Sequence, residues 1–178
     1  MEITVLSGLP ASGKTTYTNC YGPDTIVVHR DEWRAAERDR MGSSEYYPFG
    51  DAKREYTHWM DYLVSVIRAN PGKNFCIDQT TLSNGAALKL LKGLYSRAPE
   101  IFDKNLYVRI IALHTPTHVC MERNAKRTGH ARVPDEVMRS MADSFHISEK
   151  GLRLMLTTER GLCNLHFEVF HFNDLLAY

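Results

Sequence analysis

Short apolar runs alternate with amphipathic segments along most of the chain. Runs rich in β-branched and aromatic residues predict strands, and segments with apolar residues at helical spacing predict helices. The predicted strands are Ile3–Ser7, Thr25–His29, Phe75–Ile77, Leu106–Leu113 and Phe167–Phe172. The predicted helices are Lys14–Cys20, Tyr56–Arg68, Asn84–Tyr95, Thr117–Arg127 and Pro134–Phe145. This alternation predicts an α/β fold in which helices cover both faces of a parallel sheet of about five strands.

One stretch does not fit the alternating pattern. Residues Arg38–Gly50 (RDRMGSSEYYPFG) are irregular and are expected to form a long loop or a short helix over the sheet edge. Loops of this length tend to be functional. With no repeat or linker elsewhere, residues 1–178 are expected to form a single domain.

Composition limits the function classes. The 178 residues carry a net charge of +1, so contact with nucleic acid must depend on a local basic cluster rather than on overall charge. No CxxC pair occurs among Cys20, Cys76, Cys120 and Cys163, which are expected to be reduced and structural. Because a strand is predicted at the N-terminus and no apolar run reaches membrane-spanning length, we expect a cytoplasmic protein without membrane association. If the source is viral, that compartment is the host cell cytoplasm.

The segment between the first strand and the first helix carries the clearest chemistry. Gly8–Thr15 reads GLPASGKT and satisfies G-x-x-x-x-G-K-[ST] at every fixed position. Such a loop points backbone N–H groups at phosphate oxygens, Lys14 reaches the β and γ phosphates, and the Thr15 hydroxyl can bind Mg²⁺. The residues expected to bind the donor nucleotide are Gly8, Ala11, Ser12, Gly13, Lys14, Thr15 and Thr16. The motif predicts nucleotide binding without separating ATPases, GTPases and kinases.

Two polar segments follow the next strands. His29–Arg34 (HRDEWR) places Asp31 on the same rim as the phosphate loop, where a carboxylate can accept a hydroxyl proton. Arg34 follows one helical turn later and can face the same cleft. The alternative interpretation is that Asp31 caps a helix beginning at Glu32. Asp78, at the end of the third strand, resembles a Walker-B carboxylate, although the polar residues after it could merely cap the next helix.

A basic segment is predicted between the last two helices. Residues 123–132 read RNAKRTGHAR, and a helix start signal follows at Pro134. A lid over about residues 123–133 could bring Arg123 and Arg127 to the transferring phosphate, where an arginine can neutralise growing charge. The alternative is a solvated basic helix end.

Together these motifs resemble the kinase domain of the phage polynucleotide kinases over roughly residues 3–145. The resemblance is carried by GLPASGKTT, HRDEWR, IDQTTLSN and ERNAKRTGHARVPDEVMRSM, in that order. It implies a P-loop kinase that transfers the γ-phosphate of ATP, with Mg²⁺, to the 5′-hydroxyl end of DNA or RNA. By this resemblance the catalytic residues are Lys14, Asp31 as general base and Arg127 as the lid arginine on the donor phosphates. Arg123 supports the lid, Arg34 contacts the 3′-phosphate of the acceptor, and Asp78 organises the site.

The resemblance has departures, and other functions stay open. No D-x-D-G-T phosphatase motif occurs and residues after 150 match no motif, so kinase activity alone is expected. A related kinase acting on a modified-base hydroxyl in DNA or on a small alcohol such as a nucleoside would suit the same residues. A non-enzymatic nucleotide-binding module is a further alternative, although such a module needs neither a base nor a lid. Oligomeric state and the choice between DNA and RNA are left open.

Overall fold

A central sheet organises the computed structural model, which describes residues 1–103, 105–157, 162 and 166–172. The sheet has five strands in the order β2-β3-β1-β4-β5, and every neighbouring pair is parallel. The predicted parallel α/β architecture is therefore confirmed. The strands are β1 (Glu2–Ser7), β2 (Thr25–His29), β3 (Asn74–Asp78), β4 (Tyr107–Leu113) and β5 (His166–Phe172).

The α-helices connect these strands and differ in part from the predicted ones. They are α1 (Lys14–Thr18), α2 (Arg30–Met41), α3 (Ala52–Ala69), α4 (Asn84–Arg97), α5 (Thr117–Ala125), α6 (Asp135–Asp143) and α7 (Glu149–Leu156). Neither α2 nor α7 was expected as a full helix. Helix α3 begins four residues before the predicted start at Tyr56, because Asp51 caps it by accepting hydrogen bonds from the backbone N–H groups of Lys53 and Arg54.

The irregular stretch Arg38–Gly50 divides into two parts. Its first four residues form the last turn of α2, which ends where Gly42 adopts the left-handed conformation with φ 62°. The residues from Gly42 to the α3 cap at Asp51 form the remaining loop, here called the α2–α3 loop. Of the two expected alternatives, a helix is therefore found in the first part, as the end of α2, and a loop in the second.

The two faces of the sheet are covered by different elements. Alternate strand residues, such as Ile3 and Ile110, pack in the larger core cluster with α3, α4 and α7, including Trp59 and Leu90. Residues of the opposite alternation, such as Leu6, form a smaller cluster with Tyr17 and Tyr21 after the phosphate loop. This period of two is what a strand buried on both faces requires.

The cysteines agree partly with the expectation. Cys76 and Cys120 are buried free thiols, whereas Cys20 is free but exposed; Cys163 lies outside the described residues. Burial raises the pKa of the Cys76 thiol to about 12. Across the described ranges, none of the helices combines the length and apolarity needed to cross a membrane.

Candidate active site

The phosphate loop after β1 has the backbone that its glycines predict. Gly8 has φ +149°, and a Cβ at this position would lie 2.7 Å from Ser12 Oγ. Gly13, with φ 97°, is the N-cap of α1, so the loop leads directly into a helix N-terminus. Ser12 Oγ is buried and has no hydrogen-bond partner within the described part of the chain. A glycine-shaped cradle, a helix N-terminus and a buried hydroxyl without a partner fit the phosphate groups of a nucleotide.

Lys14 lies folded over this loop. Its Nζ donates hydrogen bonds to the carbonyl oxygens of Gly8 at 2.9 Å and Leu9 at 2.8 Å. Burial lowers the pKa of Lys14 to about 8, although the carboxylates of Asp78 and Asp31 oppose this effect. The predicted phosphate-binding lysine therefore lies within the electrostatic reach of both predicted acids.

Thr15 and Asp78 bring a hydroxyl oxygen and a carboxylate oxygen together beside the phosphate loop. Thr15 Oγ1 donates a hydrogen bond of 3.2 Å to Asp78 Oδ2, and His29 Nδ1 lies 2.9 Å from the same oxygen. His29 and Asp78 are opposite each other at the ends of β2 and β3. Hydroxyl and carboxylate oxygens suit Mg²⁺, which takes few protein ligands when phosphates supply others. No cluster of three or more His, Cys, Asp or Glu side chains suited to a metal occurs among the described residues.

Asp31 lies in the first turn of α2 and does not cap it. The N-cap is His29, and the helix begins at Arg30, so the capping interpretation of Asp31 is wrong. The Asp31 side chain is 88% exposed, and its Oδ1 accepts a 2.6 Å hydrogen bond from Arg34 Nη1. An exposed, oriented carboxylate at this rim of the sheet can accept the proton of an incoming hydroxyl.

Arg34 is buried, and most of its N–H groups bind within the protein. Nε and Nη2 donate to the two carboxylate oxygens of Glu55 at 2.9 and 2.8 Å, and Nη1 donates to Asp31 and to the Tyr46 hydroxyl at 3.3 Å. Burial lowers the pKa of Arg34, but the hydrogen bonds to Glu55 and the charges of Tyr46, Glu55 and Asp31 together outweigh this effect and raise the pKa above its ordinary value. Glu55 is fully buried on α3 and also accepts a 3.1 Å hydrogen bond from Arg30.

Sequence reasoning missed Glu55, although a signal was present. Glu55 precedes Trp59 by four residues and therefore shares the apolar stripe of α3. An acid in such a stripe indicates a buried basic partner, because an unpaired buried charge is strongly disfavoured. The position of that partner, on α2, depends on the fold and is not visible in the local pattern.

Asn124, another residue that the sequence analysis did not identify, joins the two ends of the basic lid. Its buried side chain accepts a hydrogen bond from Val133 N at 3.0 Å and donates one to Val133 O at 2.6 Å. Helix α5 ends at Ala125, so Arg127 lies beyond the helix and not within it as predicted. Arg127 lines an open pocket of about 510 Å³ together with Arg132. The two lid ends are thus joined while the arginines between them stay accessible.

The two predicted lid arginines occupy different environments. Arg123 Nη1 lies 3.5 Å from the carbonyl oxygen of Ala11 and so contacts the phosphate loop directly. Arg127 is exposed, and its positive charge disfavours the charged form of Lys14. Arg123 therefore adjoins the phosphate loop, whereas Arg127 lies in the segment beyond the end of α5.

Solved structures with similar folds include two proteins described as kinases. A sugar kinase from Janibacter sp. HTCC2649 has a TM-score of 0.55 and 19% identity, with 96% of this chain and 84% of that chain covered. A provisionally assigned kinase from Chloroflexus aurantiacus has a TM-score of 0.54 and 13% identity, with 99% and 91% covered. At these identities the similarity establishes the fold, which is that of the P-loop kinases.

Sequence comparisons add the family. No curated protein matches the chain significantly. The model of a family described as AAA domain (AAA_33) matches residues 3–147. Because this match covers well over half of the chain, the protein belongs to that AAA domain family.

Proposed function

We propose that this chain is a magnesium-dependent kinase that transfers the γ-phosphate of ATP to the 5′-hydroxyl end of a DNA or RNA strand. One observation carries the proposal: an exposed carboxylate, Asp31, is oriented by a fixed arginine on the rim that also bears the phosphate loop. A nucleotide-binding module needs no such carboxylate, whereas transfer to an alcohol requires a group that accepts its proton.

In the proposed reaction, different residues bind the donor and activate the acceptor. Lys14 and the loop N–H groups hold the donor phosphates, and Thr15 with Asp78 would hold Mg²⁺, which neutralises phosphate charge when bound. The acceptor oxygen forms a bond to the γ-phosphorus as its proton passes to Asp31, and the bond to the β-bridging oxygen breaks to release ADP. Arg127 is placed on the lid, where it can neutralise charge that grows in the transition state.

On the acceptor side, the proposal depends on Arg34. Strand ends present a phosphate at a fixed distance from the 5′-hydroxyl, and Arg34 is the basic residue next to Asp31. Four of the five N–H groups of Arg34 already donate hydrogen bonds to protein atoms. Arg34 can therefore donate only one N–H to a phosphate, unless its hydrogen bond to Asp31 or to Tyr46 breaks.

Because most N–H groups of Arg34 already bind within the protein, the structure also favours a second candidate function. A kinase acting on a modified-base hydroxyl in DNA or on a small alcohol needs the carboxylate but no phosphate clamp. The structural similarity to a sugar kinase is compatible with such an acceptor.

Acceptor selectivity separates the two candidates. We expect a deoxynucleoside 3′-monophosphate to be phosphorylated well and a plain deoxynucleoside poorly, because a hydrogen bond to a charged group contributes about 1.5–3 kcal/mol, or about 10- to 150-fold in kcat/KM. Arg34→Ala should remove most of this preference. Arg34→Lys keeps a positive charge beside Glu55 but not the fork geometry, and so controls for loss of folding. Equal use of both acceptors by the wild type would favour the second candidate.

A further inference from the structure

The α2–α3 loop presents two neighbouring tyrosines that the proposed reaction does not use, and one of them shares the donor Arg34 with Asp31. Tyr46 and Tyr47 are 41% and 36% exposed, and their ring centroids lie 4.8 Å apart at an interplanar angle of 84°. Aromatic side chains that only complete a core bury most of their surface. This pair instead leaves ring surface accessible at the rim of the candidate site.

The loop does not need these rings for its own anchoring. Phe49, three residues after Tyr46, stacks on Trp33 at 5.9 Å and on His58 at 4.0 Å between ring centroids. Phe49 also packs against the main core cluster. The loop is therefore fixed just beyond the tyrosine pair, which leaves the exposure of the pair without a packing explanation.

Tyr46 contacts both the arginine that holds the candidate base and the lid. Arg34 Nη1 donates to both Asp31 Oδ1 and the Tyr46 hydroxyl, and the Arg34 guanidinium lies 4.8 Å from the centre of the Tyr46 ring. The ring centroid of Tyr46 also lies 6.1 Å from that of His130 on the lid. A substrate group held at Asp31 and covered by the lid would therefore lie close to Tyr46.

Arg34 does not depend on Tyr46 for its position. Two hydrogen bonds to the buried Glu55 already fix the guanidinium, and these bonds involve Nε and Nη2, not the nitrogen that faces Tyr46. The guanidinium therefore supports the ring rather than the reverse, since a fixed cation at an aromatic face orients that ring.

We infer that Tyr46, with Tyr47 packed against it in a T-shaped arrangement, is the platform on which the base of the first acceptor nucleotide stacks. The inference rests on the proposed function and adds the way in which the acceptor base is held. Stacking tolerates every base because each has a π-face, so it suits an enzyme that must accept strand ends of any sequence.

The test compares acceptors that differ only in the base. One is a deoxynucleoside 3′-monophosphate, and the other is its abasic tetrahydrofuran analogue, which keeps the 5′-hydroxyl and the 3′-phosphate. For the wild type we expect kcat/KM to be about tenfold or more higher with the base than without it. Tyr46→Phe should keep this ratio because it keeps the ring. Tyr46→Leu should bring the ratio close to one, because the loss of the ring lowers kcat/KM more for the acceptor that carries the base than for the abasic analogue.

A matched control is available on α3. Tyr62 is 40% exposed, much like Tyr46, but its ring lies 6.0 Å from that of Trp33 rather than beside Asp31. Tyr62→Leu should leave the ratio unchanged. A wild type that uses both acceptors equally, or a Tyr46→Leu variant that loses activity equally toward both, would overturn the platform.

A binding measurement distinguishes failure of the platform from failure of the proposed function. If neither acceptor is phosphorylated, the proposed function fails, and calorimetry with a non-hydrolysable ATP analogue then decides the platform. Tighter binding of the base-containing acceptor, lost in Tyr46→Leu and kept in Tyr46→Phe, supports a base platform serving another reaction. Equal or absent binding of both acceptors by the wild type rejects it.

Discussion

Replacing Glu55 with glutamine removes a buried negative charge beneath the candidate acceptor site while keeping the size of the side chain. Glu55 is fully buried and accepts hydrogen bonds from Arg34 Nε, Arg34 Nη2 and Arg30 Nη2 at 2.9, 2.8 and 3.1 Å. In the variant, the amide nitrogen would face one of these donors, and the arginines would lose the carboxylate that compensates their charge.

The magnitude follows from the burial of this cluster. Breaking a buried ion pair by removing one partner costs about 3–5 kcal/mol, because the other charge stays buried without compensation. The remaining amide oxygen still accepts a hydrogen bond, and Arg34 keeps its contact with Asp31, so we expect the lower end, about 3 kcal/mol. For a chain of 178 residues this corresponds to a Tm lower by roughly 6–12 °C.

Thermal unfolding of Glu55→Gln beside a matched surface variant measures this effect. Glu37→Gln also removes a carboxylate that accepts two arginine hydrogen bonds, but its partner Arg40 is exposed. Exposed pairs contribute little, so the Glu37 variant should unfold close to the wild-type temperature. If Glu55→Gln unfolds at the same temperature as Glu37→Gln, then the buried charge of Glu55 does not stabilise this part of the fold, and the reasoning is refuted.

Other predictions concern the reaction itself. Because burial lowers the pKa of Lys14 to about 8, ATP binding should take up a proton above that pH. The Kd for ATP, measured by calorimetry, should therefore rise with pH above about 8 in the wild type and stay flat in Lys14→Arg; a flat wild-type profile would contradict this. Asp31→Asn should lower kcat by about 100-fold with ATP binding and Tm unchanged, and a variant that keeps its kcat would remove Asp31 as the base. Arg127→Ala should reduce kcat more than substrate binding, with a milder loss in Arg123→Ala; loss of binding with kcat retained would place Arg127 in ground-state binding instead.

Local signals in the sequence were sufficient for the sheet and the phosphate loop. Strands such as Tyr107–Leu113 are apolar runs interrupted at most by a single charged residue such as Arg109, and the loop is a contiguous motif whose glycines have a direct backbone requirement. Such features depend on neighbouring residues alone, so the alternation of elements could be predicted without knowledge of tertiary contacts.

Helix α7 shows where local signals fail. Its eight residues include Gly151, a weak helix former, and it packs against α4. A Cβ at Gly151 would lie 2.3 Å from Asn84 Nδ2, so the glycine permits close packing against the start of α4. The reason for that glycine is a contact with a residue 67 positions earlier, which no local pattern contains.

The sequence predicted individual residues of the candidate site but not the hydrogen-bond network that joins them. The rim positions of Asp31 and Asp78 follow from the rule that ligands bind at the carboxyl ends of parallel strands. Arg34 is paired with Glu55, and Asp78 with His29. Each partner lies on another element, so these pairs could be identified only from the fold. As a consequence, the sequence suggested a freely available Arg34, whereas the structure holds most of its donors within the protein.

Phosphate transfer to strand ends tests the central claim most directly. The wild-type protein would be incubated with γ-labelled ATP and oligonucleotides of DNA and RNA that carry either a free 5′-hydroxyl or a blocked 5′ end. Strands with a free 5′-hydroxyl should acquire the label, and digestion should return it as the 5′-monophosphate of the first nucleotide. Equal labelling of blocked strands, label on an internal base, or ATP binding without labelling of any strand would contradict a polynucleotide 5′-hydroxyl kinase.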